Sequence, residues 1–175
     1  MILKNWNKLI NTECVVLKLG QDFIYPIFRN GSTSLAKACD GRIKDNEITN
    51  CELITIFLQD PEKRFVSGVN EYCRQNNLDL EKTWQQIHDG ENIDRHFAPQ
   101  WIWLLHLYKW YKGDVLLKPL SALKNYCGVH TNRSPRNKPV ALLKNFVEID
   151  LALLEHINEI VPLSHLVKEY KNVLS

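Results

Sequence analysis

Residues 22–34 read DFIYPIFRNGSTS, and this stretch indicates how the chain folds. It opens with an apolar run that is typical of a buried strand, and the run stops at Arg29. Gly31 and the hydroxyl residues 32–34 then lead into a helix-like sequence. A strand that turns through glycine and hydroxyl residues into a helix directs backbone N–H groups and the positive end of the helix dipole towards one place. The stretch therefore predicts an anion-binding turn, for which phosphate and sulfate are natural ligands.

The turn differs from the phosphate-binding loop of P-loop enzymes. The GxxxxGK[ST] pattern is absent, and no Lys directly follows Gly31. Arg29 supplies a fixed positive charge instead. The other interpretation of the turn is an ordinary capped helix that follows a strand, and a second motif favours the anion site over it.

The second motif, residues 53–72, reads LITIFLQDPEKRFVSGVNEY. Its first residues are apolar and partly β-branched, which is typical of a buried strand. Asp60 is the expected N-cap of the following helix, and Pro61 suits the first helical position. Arg64 and Ser67 are three residues apart and therefore share a helix face. The motif predicts either a second anion site just beyond a strand end or an ordinary amphipathic helix.

Together the two motifs resemble those of the PAPS-dependent sulfotransferases, especially the Golgi carbohydrate type and its bacterial and viral relatives. In that family a PKxGSTSL-like loop binds the 5′-phosphosulfate end of the donor, and an RDPxxRFxSxY-like segment binds the 3′-phosphate. The counterparts here are PIFRNGSTSL at residues 26–35 and QDPEKRFVSGVNEY at residues 59–72. Two shorter segments are also similar: DRHFAPQ at 94–100 resembles a DxHxxPQ segment, and HTNRS at 130–134 resembles an HxNxS loop. The resemblance covers about residues 22 to 135.

The resemblance implies a single sulfotransferase-like domain over residues 1–175. The expected fold is a P-loop-like, three-layer α/β domain with a central, mainly parallel sheet flanked by helices. The expected reaction moves the sulfuryl group from PAPS to a hydroxyl of a carbohydrate or small-molecule acceptor, leaves PAP and needs no metal. The residues that would bind the donor are Arg29, Asn30, Gly31, Ser32, Thr33, Ser34, Gln59, Arg64, Ser67, Asn132 and Arg133. Arg29 would also act in catalysis.

A general base must take the proton of the acceptor, and His96 is the first candidate. It lies in the segment that resembles DxHxxPQ, and histidine titrates near neutral pH. The other interpretation of His96 is a structural histidine bonded to backbone. The carboxylates that remain as alternatives are Asp45, Glu47, Glu52 and Glu71.

Two positions depart from the family pattern. Arg29 stands where the family usually has Lys, and it keeps the charge without the compact ammonium. Gln59 stands where the family usually has Arg before the Asp-Pro pair, so a charge-assisted hydrogen bond is lost. Arg64, Arg133 and Arg136 are candidates to replace that charge. These departures keep open a relative that binds PAP or a sulfated ligand without efficient transfer. An ATP-dependent phosphotransferase has less support, because Walker lysine and acidic magnesium motifs are both missing.

The composition is that of one globular domain. The chain has 175 residues, of which 45% are hydrophobic and 24% are charged. A net charge of +2 is too small to indicate nucleic-acid binding. The five cysteines show no CxxC pair, so neither zinc nor a disulfide framework is expected. The sequence shows no signal peptide and no apolar run long enough for a membrane span, which together predict a cytoplasmic protein. The N-glycosylation patterns at 30–32 and 132–134 lie in the predicted donor site, where a glycan would block the donor, so a bacterial or viral origin is expected.

Overall fold

The computed structural model describes residues 2–89, 91 and 94–128. The helices are α1 (Ile2–Ile10), α2 (Ser32–Ala38), α3 (Pro61–Asn76), α4 (Leu80–His88), α5 (Gln100–Trp110) and α6 (Lys124–Cys127). The strands are β1 (Val15–Leu19), β2 (Asp22–Tyr25), β3 (Gly41–Lys44), β4 (Leu53–Leu58) and β5 (Asp114–Pro119). Two 3₁₀ turns, Asp45–Asn50 and Leu120–Leu123, complete the described elements.

The strands form one five-stranded sheet in the order β3-β1-β2-β4-β5. Strand β4 pairs in parallel with β2 and with β5, whereas β1 pairs antiparallel with β2 and with β3. The predicted α/β fold is therefore confirmed, but the sheet is mixed and not mainly parallel. The reason is local: only Gly20 and Gln21 separate β1 from β2, and a connection of two residues joins antiparallel neighbours. Gly20 adopts the positive φ of 58° that such a turn requires.

Helices cover both faces of the sheet. The larger apolar cluster contains Ile54, Ile56 and Leu58 from β4, together with core residues of α3, α4 and α5. The smaller cluster contains Phe57 from the opposite face of β4, where α2 and the 3₁₀ turn at 120–123 contribute Leu35 and Leu123. This alternation along β4 follows from the two-residue period of a strand.

Short sequence features explain where strands β2 and β4 and helix α3 begin or end. Strand β4 covers the apolar run at the start of the second motif, as predicted, and the carboxylate of Asp60 caps α3 by accepting a hydrogen bond from the backbone N–H of Lys63 at 2.8 Å. Strand β2 ends at Tyr25, earlier than the apolar run predicts, because Pro26 has no N–H to donate to a neighbouring strand. The tryptophan-rich helix α5 belongs to the core, since Trp101 and Trp103 are buried.

The parallel strands bring three connections to one edge of the sheet. Strands β2, β4 and β5 run in the same direction, so their carboxyl ends lie side by side. The residues that follow them are the Arg29–Gly31 turn, the start of α3 and the 3₁₀ turn at 120–123. In sheets of this kind, ligands bind beyond the carboxyl ends of parallel strands.

Candidate anion-binding site

The turn after β2 has an unusual backbone. Arg29 has a φ of 67° and Gly31 a φ of 77°, so both residues lie in the left-handed region. An L-residue other than glycine is strained there. A Cβ at Gly31 would overlap the Cδ2 methyl of Leu123, which explains why glycine is needed at this position. The sequence suggests that this glycine serves the approach of an anion, but in the structure its missing side chain leaves room for a leucine.

Helix α2 begins immediately after the turn. Its N-cap is Gly31, and no side chain caps the helix. Ser32, Thr33 and Ser34 therefore occupy the first three helical positions, and their hydroxyls do not act as the helix cap. The first N–H groups of a helix have no acceptor within the helix, so this end of α2 adds partial positive charge beside the turn.

Arg29 and Ser67 join the first motif to the second. The guanidinium of Arg29 donates to Oγ of Ser67 from Nε at 3.1 Å and from Nη2 at 2.7 Å. Arg29 is half-buried, and this burial lowers the pKa of its guanidinium, an effect that Glu71 opposes and Arg74 reinforces. An arginine nevertheless stays protonated at neutral pH. The two segments with predicted anion contacts therefore meet around one partly desolvated positive charge.

Glu71 lies one helical turn beyond Ser67 and is held by its neighbours. Its carboxylate accepts hydrogen bonds from Arg74 at 3.0 and 2.5 Å and from Gln75 at 2.8 Å. The Arg74 hydrogen bonds are the main cause that lowers the pKa of Glu71 to about 2, although burial opposes them. Such a carboxylate is a weak proton acceptor, which argues against Glu71 as the general base.

The other carboxylate candidates have no described contact with Arg29. Asp45 accepts a hydrogen bond from the backbone N–H of Cys14 at 3.2 Å. Glu47 is exposed in the 3₁₀ turn after β3. Glu52 precedes the first residue of β4, at the opposite end of that strand from the turn after β2.

His96 forms a pair with Asp94. Its Nδ1 lies 2.5 Å from Oδ1 of Asp94, and the same oxygen accepts the backbone N–H of His96 at 2.9 Å. Burial raises the pKa of Asp94, but the hydrogen bonds and the charge of His96 outweigh burial and lower that pKa below its usual value. A carboxylate at Nδ1 favours the tautomer that carries its proton on Nδ1, which leaves Nε2 able to accept a proton. The His96 ring contacts the Phe28 ring, with centroids 5.6 Å apart, so the pair lies beside the turn.

Gln59 and Arg64 contact protein groups in this structure. The amide of Gln59 donates to the carbonyl of Arg29 at 2.7 Å and to Oδ1 of Asn30 at 3.0 Å. The guanidinium of Arg64 is only 2% exposed, and it donates to the carbonyls of Phe28, at 3.0 Å, and Ala98. The resemblance implies that both side chains contact a 3′-phosphate, and in this structure both also donate to backbone carbonyls in or next to the turn. A buried guanidinium requires such acceptors, because desolvation without them is costly.

Gln100 is a member of the site that the motif reasoning leaves out. It is the first residue of α5 and is fully buried, at 0% exposure. Its Oε1 accepts from Nδ2 of Asn30 at 2.7 Å and from the backbone N–H of Gln59 at 3.0 Å. Its Nε2 donates to the carbonyl of Gln59 at 2.7 Å. The only signal in the sequence is its place as the last residue of the DRHFAPQ segment.

The structure brings together three of the four motif segments: the turn after β2, the start of α3 and residues 94–100. The predicted donor-binding residues Asn132 and Arg133, and Arg136, lie outside the described residues. Within residues 2–89, 91 and 94–128, no group of three His, Cys, Asp or Glu side chains is placed to hold a metal ion. No helix in the same part of the chain has both the length and the apolar character needed to cross a bilayer.

Comparisons with known proteins identified no similar protein. The sequence matches no protein-family model, and neither the comparison with curated proteins nor that with solved structures returns a similar chain.

Proposed function

We propose that this chain is a sulfotransferase that moves the sulfuryl group of PAPS to a hydroxyl of a carbohydrate or small-molecule acceptor and leaves PAP. The observation that supports the proposal most is the pair of hydrogen bonds from Arg29 to Ser67. They join the two segments that resemble donor-binding motifs, at the edge of the sheet where ligands of α/β proteins bind.

The proposal includes a P-loop-like, three-layer fold. The parallel unit β2-β4-β5 and the apolar clusters on both sides of the sheet support it. The antiparallel pairs of β1 extend this unit at one side only.

We propose that Arg29 stabilises the negative charge that develops during transfer of the sulfuryl group. Transfer of a sulfuryl group spreads negative charge over the oxygens of the group and onto the leaving phosphate. A fixed cation in a partly desolvated site stabilises such charge more strongly than it would in water. The start of α2 lies beside Arg29 and adds backbone N–H groups, whose partial positive charge has the same sign as that of the guanidinium. No metal is needed in this scheme, because protein donors supply the positive charge.

His96 is the residue that we propose takes the acceptor proton. Asp94 holds Nδ1, and Nε2 makes no hydrogen bond within the described part of the chain. In the proposed step the acceptor oxygen forms a bond to sulfur while the bond from sulfur to the bridging oxygen of the donor breaks. The hydroxyl proton passes to Nε2 of His96, and PAP leaves with its bonding electron pair.

A second candidate is a relative that binds PAP or a sulfated ligand without transferring the group. The observation that favours it is the use of Gln59 and Arg64 as supports for the turn. If these side chains keep their present partners, they contribute little to a 3′-phosphate. The second candidate therefore predicts ligand binding without turnover.

Incubation with radiolabelled PAPS and a panel of sugar and small hydroxyl acceptors tests the first candidate. We expect labelled product from the wild-type chain and loss of most of it in Arg29→Ala. The matched control is Arg42→Ala, because Arg42 is an exposed arginine of β3. No product with any acceptor, despite measurable PAP binding, would favour the second candidate.

A further inference from the structure

Three carboxamide side chains from separate segments meet beneath the turn. Asn30, Gln59 and Gln100, which we call the amide cluster, come from the turn, the end of β4 and the start of α5. Asn30 is 1% exposed and Gln100 is 0% exposed, while Gln59 is half-buried. Burying an amide costs free energy unless the amide is hydrogen-bonded, so the burial of these side chains has to be explained by their partners.

The hydrogen bonds of the cluster use both ends of the Asn30 and Gln100 amides and the nitrogen of the Gln59 amide. Asn30 donates through Nδ2 to the carbonyl of Phe57 and to Oε1 of Gln100, both at 2.7 Å. It accepts at Oδ1 from Gln59, which donates from the same nitrogen to the carbonyl of Arg29. Gln100 in turn binds both the N–H and the carbonyl of Gln59. Gln100 therefore holds Gln59 and Asn30 in place, and these two residues hold the backbone of the turn.

The backbone of Arg29 is held on both sides. The peptide before it is fixed by Arg64, whose Nε donates to the carbonyl of Phe28 at 3.0 Å. The peptide after it is fixed by Gln59, whose Nε2 donates to the carbonyl of Arg29 at 2.7 Å. Arg29 has a φ of 67°, a conformation that a residue with a Cβ rarely keeps unless its surroundings impose it. These bonds supply the constraint, and the guanidinium then lies against Ser67.

We propose that Gln100 is a positioning residue for Arg29, and that Gln59 serves this support and not the binding of a ligand. Gln100 fixes the backbone of Gln59 and the side chain of Asn30, and these two residues hold the left-handed turn that directs the guanidinium. The consequence for donor binding rests on the proposed function. The positioning of Arg29 does not, since it concerns hydrogen bonds within the chain.

Position 100 requires a side chain that both accepts and donates a hydrogen bond. Gln100 accepts at one end and donates at the other. Gln100→Glu would keep the shape but lose the donor, and it would place a carboxylate against the carbonyl of Gln59. Gln100→Met would keep most of the volume and remove both functions. These two variants separate loss of hydrogen bonding from loss of packing.

The first readout is the NMR signal of the Arg29 Nε–H group. In the wild-type chain we expect it to exchange slowly with solvent, since Nε donates to Ser67. In Gln100→Met and Gln100→Glu we expect its shift and its exchange rate to move to those of the exposed Arg42. The matched control is Gln21→Met, because Gln21 is an exposed residue between β1 and β2 and makes no bond to the turn. Gln59→Met removes the direct donor to Arg29 and keeps the test available if the Gln100 variants do not fold.

The second readout is a double-mutant comparison of PAP affinity. We expect Gln100→Met to weaken PAP binding about tenfold in the wild-type background. A displaced Arg29 guanidinium would lose roughly one charge-assisted hydrogen bond to the ligand, which corresponds to this factor. In an Arg29→Ala background the same change should weaken binding less than about twofold, because its target is gone. An equal loss in both backgrounds would show a merely structural role.

The two proposals fail separately. An Arg29 Nε–H signal that is unchanged in a folded Gln100 or Gln59 variant would overturn the positioning role. Absence of PAP binding to the wild-type chain would overturn the proposed function, while a shifted Arg29 signal would still support the positioning role.

Discussion

Oδ1 of Asp94 accepts hydrogen bonds from both Nδ1 and the backbone N–H of His96. The carboxylate therefore fixes both the backbone and the ring of the histidine, and it determines which ring nitrogen faces away from Asp94. Among the candidate bases in the described part of the chain, His96 is the one whose surroundings leave a nitrogen in position to accept a proton.

His96→Ala should lower the turnover number for the proposed sulfuryl transfer by about 10²-fold or more, the usual loss for a positioned base. Asp94→Asn should lower it by at least about tenfold, because the ring loses its orienting carboxylate. Steady-state kinetics with saturating PAPS measures both effects. Asp22→Asn, at an exposed carboxylate of β2, is the control and should keep the wild-type rate. A His96→Ala variant with wild-type turnover would remove this residue from the mechanism.

Gly31→Ala should lower the free energy of unfolding by about 3 kcal/mol, since the new methyl meets Leu123 and the residue also keeps a positive φ. Gly20→Ala is the matched control, because Gly20 also has a positive φ but no atom lies within 4 Å of its added Cβ. That control should cost only about 1 kcal/mol. Urea denaturation measures both, and equal losses would show that backbone strain, not the Leu123 contact, decides the cost.

Arg64→Met should destabilise the fold by about 2–4 kcal/mol, because the buried carbonyls of Phe28 and Ala98 lose their donor. Lys63→Met, at the exposed neighbouring position on α3, should change the free energy of unfolding by less than about 0.5 kcal/mol. The comparison uses chemical denaturation of both variants. A stable Arg64→Met protein that loses PAP binding would instead assign Arg64 to the ligand.

His106 should make stability depend on pH. Its Nδ1 lies 2.6 Å from the hydroxyl of Tyr25, and its Nε2 lies 3.0 Å from the carbonyl of Thr12. Burial is the main cause that lowers the pKa of His106 below 6.5, with Lys109 acting in the same direction. The carbonyl of Thr12 and the charge of Asp45 raise this pKa and only partly offset burial.

The sign follows from the lowered pKa. Below about pH 6.5 the unfolded histidine binds a proton that the folded one resists, so stability falls as the pH decreases towards the folded pKa. His106→Gln should flatten the change in free energy of unfolding between pH 7 and 5.5 by about 1 kcal/mol. His88→Gln, at an exposed histidine, is the comparison variant, and the slope should change more in His106→Gln than in His88→Gln. An unaltered slope in His106→Gln would show that other groups cause it.

Elements with local signals could be predicted from the sequence. Strand β4 and the start of α3 were predicted because an apolar β-branched run, an Asp cap and a Pro at the first position act over a few residues. Residues 1–21 carry no motif, so the sequence indicates only a short lead-in there, but α1 forms in this segment and its Trp6 packs into the larger core. Strand β3 is not evident from the sequence, because it is short and alternates half-buried with exposed residues at the sheet edge.

The site could be predicted only in part. The motifs indicated Arg29, Ser67 and His96, but the amide cluster depends on three distant segments meeting, which no local pattern encodes. The contacts of Gln59 and Arg64 with the turn could not be predicted either, while their contact with a phosphate stays a prediction. Their residue types suit a phosphate, yet the fold places a backbone carbonyl of the turn within reach of each.

Calorimetric titration with PAP, with ADP as the control ligand, tests whether this edge of the sheet binds a sulfuryl donor. ADP has the same two phosphates as PAP but carries both at the 5′ position. We expect micromolar PAP binding that is at least about tenfold tighter than ADP binding, a difference of about 1.4 kcal/mol or more. We expect Arg29→Ala to weaken PAP binding at least about tenfold while leaving it measurable. Equal binding of the two nucleotides, or no binding by a folded sample, would contradict the assignment of this edge of the sheet to a sulfuryl donor.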